Sequence, residues 1–248
     1  MKIIAARRKQ RGFYLPWSGA GGGGGPTDPY FANTVLLCHA DGTNGSTTFT
    51  NVVEPLGRGQ TISAAGTAAV STTAPLFGTG ALDAGSAGLQ SAADSDYALT
   101  NSFSVEVACR TSSPSSTMVL IDTRINGDPN KGWVVYASGG VFNVYIAEYG
   151  AFTLILSGGT VLTNTYQRVA WTEDNSGGLG DHRLFVDGVS VDTHTQVITL
   201  VADVPVRIGY GYDGTVPWVG YIDEVRLTKG VARYVAGYTP DVAAFPDA

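Results

Sequence analysis

From Thr34 onward the chain is built of short apolar runs of period two, broken every about 8–12 residues by Gly, Asn, Asp, Ser or Pro. Such a pattern admits strands and turns and leaves almost no room for helices. Phe103, Val105, Val107 and Cys109 alternate with Ser104, Glu106, Ala108 and Arg110, as in an antiparallel strand with one face in a core and the other in solvent. Met118 to Ile121, Trp133 to Tyr136, Val141 to Ile146, Phe152 to Leu156, Gln167 to Thr172, Val206 to Tyr210 and Tyr221 to Leu227 read as comparable runs. Asp187-Gly188, between Leu184-Phe185-Val186 and Val189-Ser190-Val191, tolerates the positive φ angles of a type I′ hairpin. Ser138-Gly139-Gly140 and Ser157-Gly158-Gly159 read as two further hairpin loops. With helices lacking, a sheet of this many strands buries its apolar face only against another sheet. The expected fold is all-β, a two-sheet antiparallel jelly-roll sandwich with an extended N-terminal arm.

The arm is set apart by charge. Five of the fifteen Lys and Arg residues are Lys2, Arg7, Arg8, Lys9 and Arg11, and the first acidic residue is Asp28. Removing those five leaves the remainder with ten basic against twenty-one acidic side chains. The expected division is a basic aromatic arm over 1–18, a glycine-rich hinge over 19–27 and one domain over 28–248. In the arm, Phe13, Tyr14 and Trp17 stand beside Arg7, Arg8 and Arg11. Aromatic and Arg residues are the usual anchors of interfaces, so this segment reads as a docking peptide, with nucleic-acid contact by a basic tail as the alternative.

An acidic body argues against nucleic acid as its own ligand, because phosphate neutralisation needs clustered Lys and Arg. No run of about 18 apolar residues is present to insert in a membrane. Charged residues interrupt Ile3-Ile4-Ala5-Ala6 at once, so a secretory leader is not expected. Cys38 and Cys109 both occupy apolar strand positions and read as small buried hydrophobes, with a disulfide between them as the alternative. A body of about 220 residues buries roughly 70% of its unfolded surface and needs no staple.

Particular stretches resemble a known family. Leu36-Leu37-Cys38-His39-Ala40-Asp41-Gly42-Thr43-Asn44-Gly45-Ser46, Phe77-Gly78-Thr79-Gly80-Ala81-Leu82, Leu184-Phe185-Val186-Asp187-Gly188 and the longer run Gly220 to Tyr234 resemble the laminin-G-like, concanavalin-A-like jelly-roll domain of tailed-bacteriophage virion proteins. The resemblance covers the body and none of the arm. Ala40 and Ala108 depart from it, standing where the family usually has aromatic residues. It implies two curved antiparallel sheets and a non-enzymatic structural role on the particle surface. The arm would dock on other virion proteins while the domain adheres to host or environmental glycans. A capsid decoration protein without a glycan ligand is one alternative, and a polysaccharide-cleaving enzyme another.

Enzymes of this fold that cut β-glucans carry Glu-x-Asp-x-x-Glu on one strand, with two carboxylates about 5 Å apart. None of the five glutamates, Glu54, Glu106, Glu148, Glu173 and Glu224, has that spacing, and no His pair has zinc-ligand spacing. No catalytic residue is expected. Sugars are met by aromatic faces beside hydrogen-bonding groups. The turn-proximal candidates are Trp133, Tyr149, Tyr212 and Trp218, with Asp128, Asn130 and Asp213 as polar partners. Simple alternation places Asp223 with Tyr221, Val225 and Leu227 on an inward face. A carboxylate there needs a cation or several donors. One reading is a structural Ca2+ held by Asp223 with the Asp41 loop, as related jelly rolls carry; the other is backbone N–H donors or an Arg such as Arg226 or Arg168.

Overall fold

The computed structural model describes residues 27–99, 101–125, 128, 132–148, 151–198 and 203–248. The arm residues Arg7, Arg8, Arg11, Phe13, Tyr14 and Trp17, and the candidates Asn130 and Tyr149, lie outside the described residues. The strands begin with β1 (Thr34–Cys38), β2 (Ile62–Ala64), β3 (Ala69–Ser71), β4 (Ala81–Asp83), β5 (Leu89–Ser91), β6 (Phe103–Thr111), β7 (Met118–Asp122) and β8 (Gly132–Ser138). They continue with β9 (Val141–Glu148), β10 (Ala151–Thr160), β11 (Gln167–Asp174), β12 (Asp181–Val186), β13 (Val189–Thr195), β14 (Arg207–Ile208) and β15 (Gly220–Lys229). Three single-turn 3-10 helices are the only helical elements among the described residues.

Two sheets form, both antiparallel in every ladder. The first runs β13-β12-β11-β6-β15-β4-β3, with β1 also paired to β15. The second runs β10-β9-β8-β7-β14-β5-β2. Between them lies one core, in which Val105, Val107, Trp171 and Leu227 of the first sheet meet Leu120, Trp133, Val135 and Val144 of the second. Trp171 packs edge-on to both Phe103, at 4.7 Å between centroids, and Trp133, at 5.4 Å. Cys38 and Cys109 are free thiols buried in this core, with no disulfide between them. Glu173 is buried on the same side, its two carboxylate oxygens without a partner among the described residues. Burial lifts its carboxyl to about 8, favouring the protonated form.

The Asp187-Gly188 turn joins β12 to β13 with φ of +50° and +78°, as a type I′ hairpin requires. Ser138-Gly139-Gly140 likewise closes β8 onto β9. Ser157-Gly158-Gly159 is not a hairpin loop. These residues lie inside β10, where the register against β9 shifts between Gly158 and Thr160. A Cβ on Gly159 would stand 2.5 Å from a Val186 methyl, and one on Gly158 would stand 3.0 Å from the Val191 carbonyl. Glycine is needed here because the edges of the two sheets approach too closely for a side chain.

Two expectations about sheet faces are overturned. Glu224 has φ of +49°, and the β15 register against β6 shifts between Asp223 and Arg226. This bulge reverses the phase of the strand, so Ile222, Val225 and Leu227 join the core while Asp223 pairs with Ala108 on the outer face. Asp223 is nevertheless 0% exposed.

The outer face of β6 is not solvated either, because the segment after β15 folds back over it. Ser104 Oγ donates to the Val231 carbonyl at 3.0 Å and accepts from the Arg233 N–H at 2.8 Å. Tyr234 Oη donates to Glu106 at 2.7 Å, and Tyr234 and Tyr238 stack at 3.6 Å. The Tyr238 N–H reaches the Gly188 carbonyl at 2.9 Å. Beneath this cover Arg226 grips Glu106 at 2.7 and 2.8 Å, and Arg233 holds Asp28 at 2.7 and 2.8 Å. Farther along, His39 bridges Glu224 at 2.8 Å and Asp247 at 2.7 Å. Asp28 also donates its N–H to the carbonyl of Ala248 at 2.7 Å, so it is tied to the far end of the chain.

Candidate functional site

The outer face of the second sheet carries an open cleft of about 420 Å3. Alternation builds it. In β8, Trp133, Val135 and Ala137 go to the core, which turns Val134 and Tyr136 outward. The hairpin register sets Tyr145 of β9 opposite Val134, so Tyr136 and Tyr145 meet diagonally at 5.7 Å between ring centroids. Burial against Tyr145 pushes the Tyr136 phenol up to about 12.

Across the cleft, Asp122 at the end of β7 is 0% exposed and organises the opposite wall. Its carboxylate receives Arg124 Nε at 2.9 and 3.0 Å, Arg124 Nη2 at 2.6 Å and the Arg124 N–H at 2.8 Å. It also accepts the Tyr212 N–H at 2.9 Å, fixing the turn that follows β14. The guanidinium so held stands 4.5 Å above the Tyr212 ring. A bidentate guanidinium over an aromatic face is a rigid, preorganised assembly. Asp213 accepts Thr215 Oγ1 at 2.7 Å and its N–H at 3.1 Å, and these bonds hold its carboxyl below the usual range.

Three tyrosine rings, a neutralised guanidinium, one exposed carboxylate and the Thr117 and Thr215 hydroxyls thus converge on one cavity. Rings supply faces for sugar C–H groups and the polar set supplies partners for hydroxyls. Asp213 is the one carboxylate among the described lining residues. Asp122, the carboxylate the described structure places behind it, is buried and occupied by Arg124 and the Tyr212 N–H.

Of the residues the sequence nominated, Tyr212 and Asp213 are brought together here. Trp133 and Trp218 are not: they are 0% and 1% exposed and pack in the core, and Trp218 borders a different cleft, on the first sheet. Asp128 is bridged to Ile125 by its N–H at 3.0 Å, away from this cleft. Arg124, Tyr136, Tyr145 and the anchoring Asp122 were missed. The outward phase of Tyr136, read from the core run Trp133, Val135, Ala137, is the signal that finds the tyrosine pair.

Asp41 and Asp223, the carboxylates expected to share a Ca2+, are each engaged by backbone donors. Asp223 accepts the N–H groups of Leu76 at 2.8 Å, Phe77 at 3.3 Å and Glu224 at 2.9 Å. Asp41 accepts the Thr79 and Gly80 N–H groups and the Thr79 hydroxyl. These donors match the other reading of Asp223, a buried carboxylate satisfied by backbone N–H groups. Among the described residues no cluster of three or more His, Cys, Asp or Glu is placed to hold a metal. The two carboxylates instead clamp opposite ends of the loop 76–80, and burial lifts Asp223 to about 7 against the pull of its backbone donors.

Comparison with known proteins agrees with this architecture. Domain 4 of AbnA, a GH43 extracellular arabinanase from Geobacillus stearothermophilus solved with arabinotriose, superposes with a TM-score of 0.57 at 15% identity, covering 81% of this chain and 94% of that one. The binding domain of Paraclostridial Mosquitocidal Protein 1 superposes with a TM-score of 0.58 at 10% identity, covering 88% of this chain and 51% of that one. The botulinum neurotoxin serotype D binding domain gives 0.58 at 13% identity, covering 82% and 49%. No curated protein matches the sequence. A laminin-G family profile matches residues 83–232, more than half of the chain, and by that match the chain belongs to the concanavalin A-like lectin/glucanases superfamily.

Proposed function

We propose that this protein is a non-enzymatic carbohydrate-binding structural protein of a bacteriophage particle, attached through its N-terminal arm and displaying the sandwich to host or environmental glycans. The observation that carries the glycan reading is the cleft in which buried Asp122 fixes Arg124 over Tyr212 opposite the Tyr136–Tyr145 pair. Carbohydrate contact by the arabinanase domain of the same architecture supports it. The particle reading rests on the sequence resemblance of the Gly220–Tyr234 run and on the composition of the arm. The single carboxylate in the cleft supports binding rather than cleavage.

The test is a glycan array probed with the full chain, followed by calorimetry on any hit. Tyr212→Ala is expected to weaken binding about tenfold without lowering the melting temperature. A folded protein that binds nothing on the array overturns the adhesin reading and leaves the decoration role. Release of reducing ends from a bacterial polysaccharide overturns the non-enzymatic one.

A further inference from the structure

The tail that covers the outer face of the first sheet stops short of one end. There β6, β15 and β4 place Arg110, Tyr221 and Asp83 in one row, Tyr221 pairing with Arg110 on one side and with Asp83 on the other. Ala108 and Glu106, next along β6, are buried, whereas Arg110 and Tyr221 are half-buried and Asp83 is exposed. The row lines a cleft of about 560 Å3, with Trp218 in its lining and Asn164 beside Arg110. It lies on the opposite sheet from the tyrosine cleft. The crossing segment that gives Tyr212, Asp213 and Thr215 to that cleft gives Trp218, Gly220 and Tyr221 to this one.

Arg110 is held rather than loose. Trp218 Nε1 donates to its carbonyl at 3.1 Å, and its own Nε donates to the Asn164 carbonyl at 3.0 Å. The guanidinium carbon stands 5.9 Å from the Tyr221 ring centroid. Gly220, at φ of +137°, permits the close crossing, since a Cβ there would stand 2.1 Å from the Arg110 carbonyl. Yet Arg110 makes no ion pair among the described residues, unlike Arg124 and Arg226, each matched to a buried carboxylate. A positioned guanidinium with unmatched charge, in a domain with an excess of acidic side chains, is a local receptor for an anion of planar fork geometry. Asp83 spends one oxygen on the Gly85 N–H at 3.1 Å, leaving the other to accept from hydroxyls.

We propose that this cleft is a second ligand site and that it takes a saccharide bearing a carboxylate. The guanidinium of Arg110 receives the carboxylate, Tyr221 meets the ring and Asp83 accepts from hydroxyls. The tyrosine cleft, whose cation is cancelled by Asp122, takes a neutral sugar, so the domain presents two specificities on opposite faces. The ligand class rests on the carbohydrate reading above, but the two clefts are read by separate signals and stand or fall separately.

The test is an NMR titration of the isotope-labelled full chain with glucuronate, glucose and acetate, followed at the Trp218 indole N–H and the Arg110 Nε–H. Glucuronate is expected to shift both signals with an affinity about tenfold above that of glucose or acetate. Arg110→Ala should remove that advantage, Arg110→Lys should keep only part of it, and Tyr212→Ala should leave it intact. If Arg110→Ala fails to fold, Asp83→Ala serves in its place and should weaken glucuronate about threefold. Acetate binding as well as glucuronate reduces the cleft to a simple anion site and overturns the proposal. So does an equal response to glucose, or a glucuronate response lost in Tyr212→Ala but kept in Arg110→Ala.

Discussion

On the outer face of the first sheet, Arg226 is gripped by Glu106 and roofed by the Phe245 ring at 3.6 Å, whereas on the second sheet Arg124 is gripped by Asp122 and stacked on Tyr212 in an open cleft. The pairing chemistry is the same in both places. What differs is the chain laid over it: residues after β15 cover the first face around Arg226, and nothing among the described residues covers Arg124 on the second. A carboxylate–guanidinium pair under a cover is a structural element that adds little net stability but is costly to break. The same pair at the wall of a cleft fixes a ring and a turn in the geometry a ligand meets.

The largest expected effect is on the covered face. Glu106→Ala removes the carboxylate serving Arg226 and Tyr234, leaving the buried Arg226 guanidinium only the longer contact to Asp28 at 3.3 Å, and is expected to cost about 3 kcal/mol in chemical denaturation. A loss below about 1 kcal/mol would mean that the tail admits water and that the two faces are alike. Asp122→Asn on the open face should act more on binding than on folding. The amide cannot hold Arg124 bidentately, so glycan affinity should fall about tenfold while stability falls by about 1–2 kcal/mol. Equal effects on both quantities would assign Asp122 to folding alone.

The sandwich was legible because period two and turn chemistry are local. Asp187-Gly188 and Ser138-Gly139-Gly140 fixed two hairpins, and the tyrosines of the cleft follow from the phase of β8. Tyr212 and Asp213 stood out in a Gly-Tyr-Asp-Gly turn, whereas Trp133 and Trp218 stood just as close to turns and belong to the core. Proximity to a turn does not reveal phase; counting from Val135 and Ala137 does. The bulge at Glu224 was invisible because it needs a positive φ at a non-glycine residue, a choice imposed by tertiary contacts. The cover over β6 was hidden for a related reason. The tail has no periodicity, and Arg233 meets a partner 205 residues away.

A pH titration tests how tightly the cover is latched. Burial alone would lower the His39 imidazole, but Glu224 and then Asp247 more than offset it and lift it to about 9. The folded value lies above the unfolded one, so the latch is fully present below about pH 6.5 and is lost as pH rises toward 9. With Asp247 largely exposed, the contribution is about 1–2 kcal/mol. His39→Gln should reduce the fall in stability across that window, the raised carboxyls of Asp223 and Glu173 supplying the remainder, and leave glycan binding on the other face unchanged. A slope identical to that of the unaltered protein would show that the tail is held by Arg226, Arg233 and the tyrosine stack without His39.

The smallest expected effect on stability belongs to the arm. Asp28 ties into the fold through Arg226, Arg233 and the Ala248 carbonyl, so the described domain is anchored at its first acidic residue without help from the arm's charges. Deleting residues 1–25 should change the melting temperature by no more than about 1–2 °C. If the proposed particle role holds, incorporation measured by complementation of a deletion phage should nevertheless be abolished. A truncated protein that melts several degrees lower would place arm residues against one of the two faces. The open tyrosine cleft would then be the first place to look, because its tyrosine rings are faces on which Arg7, Arg8, Arg11 or Trp17 could stack.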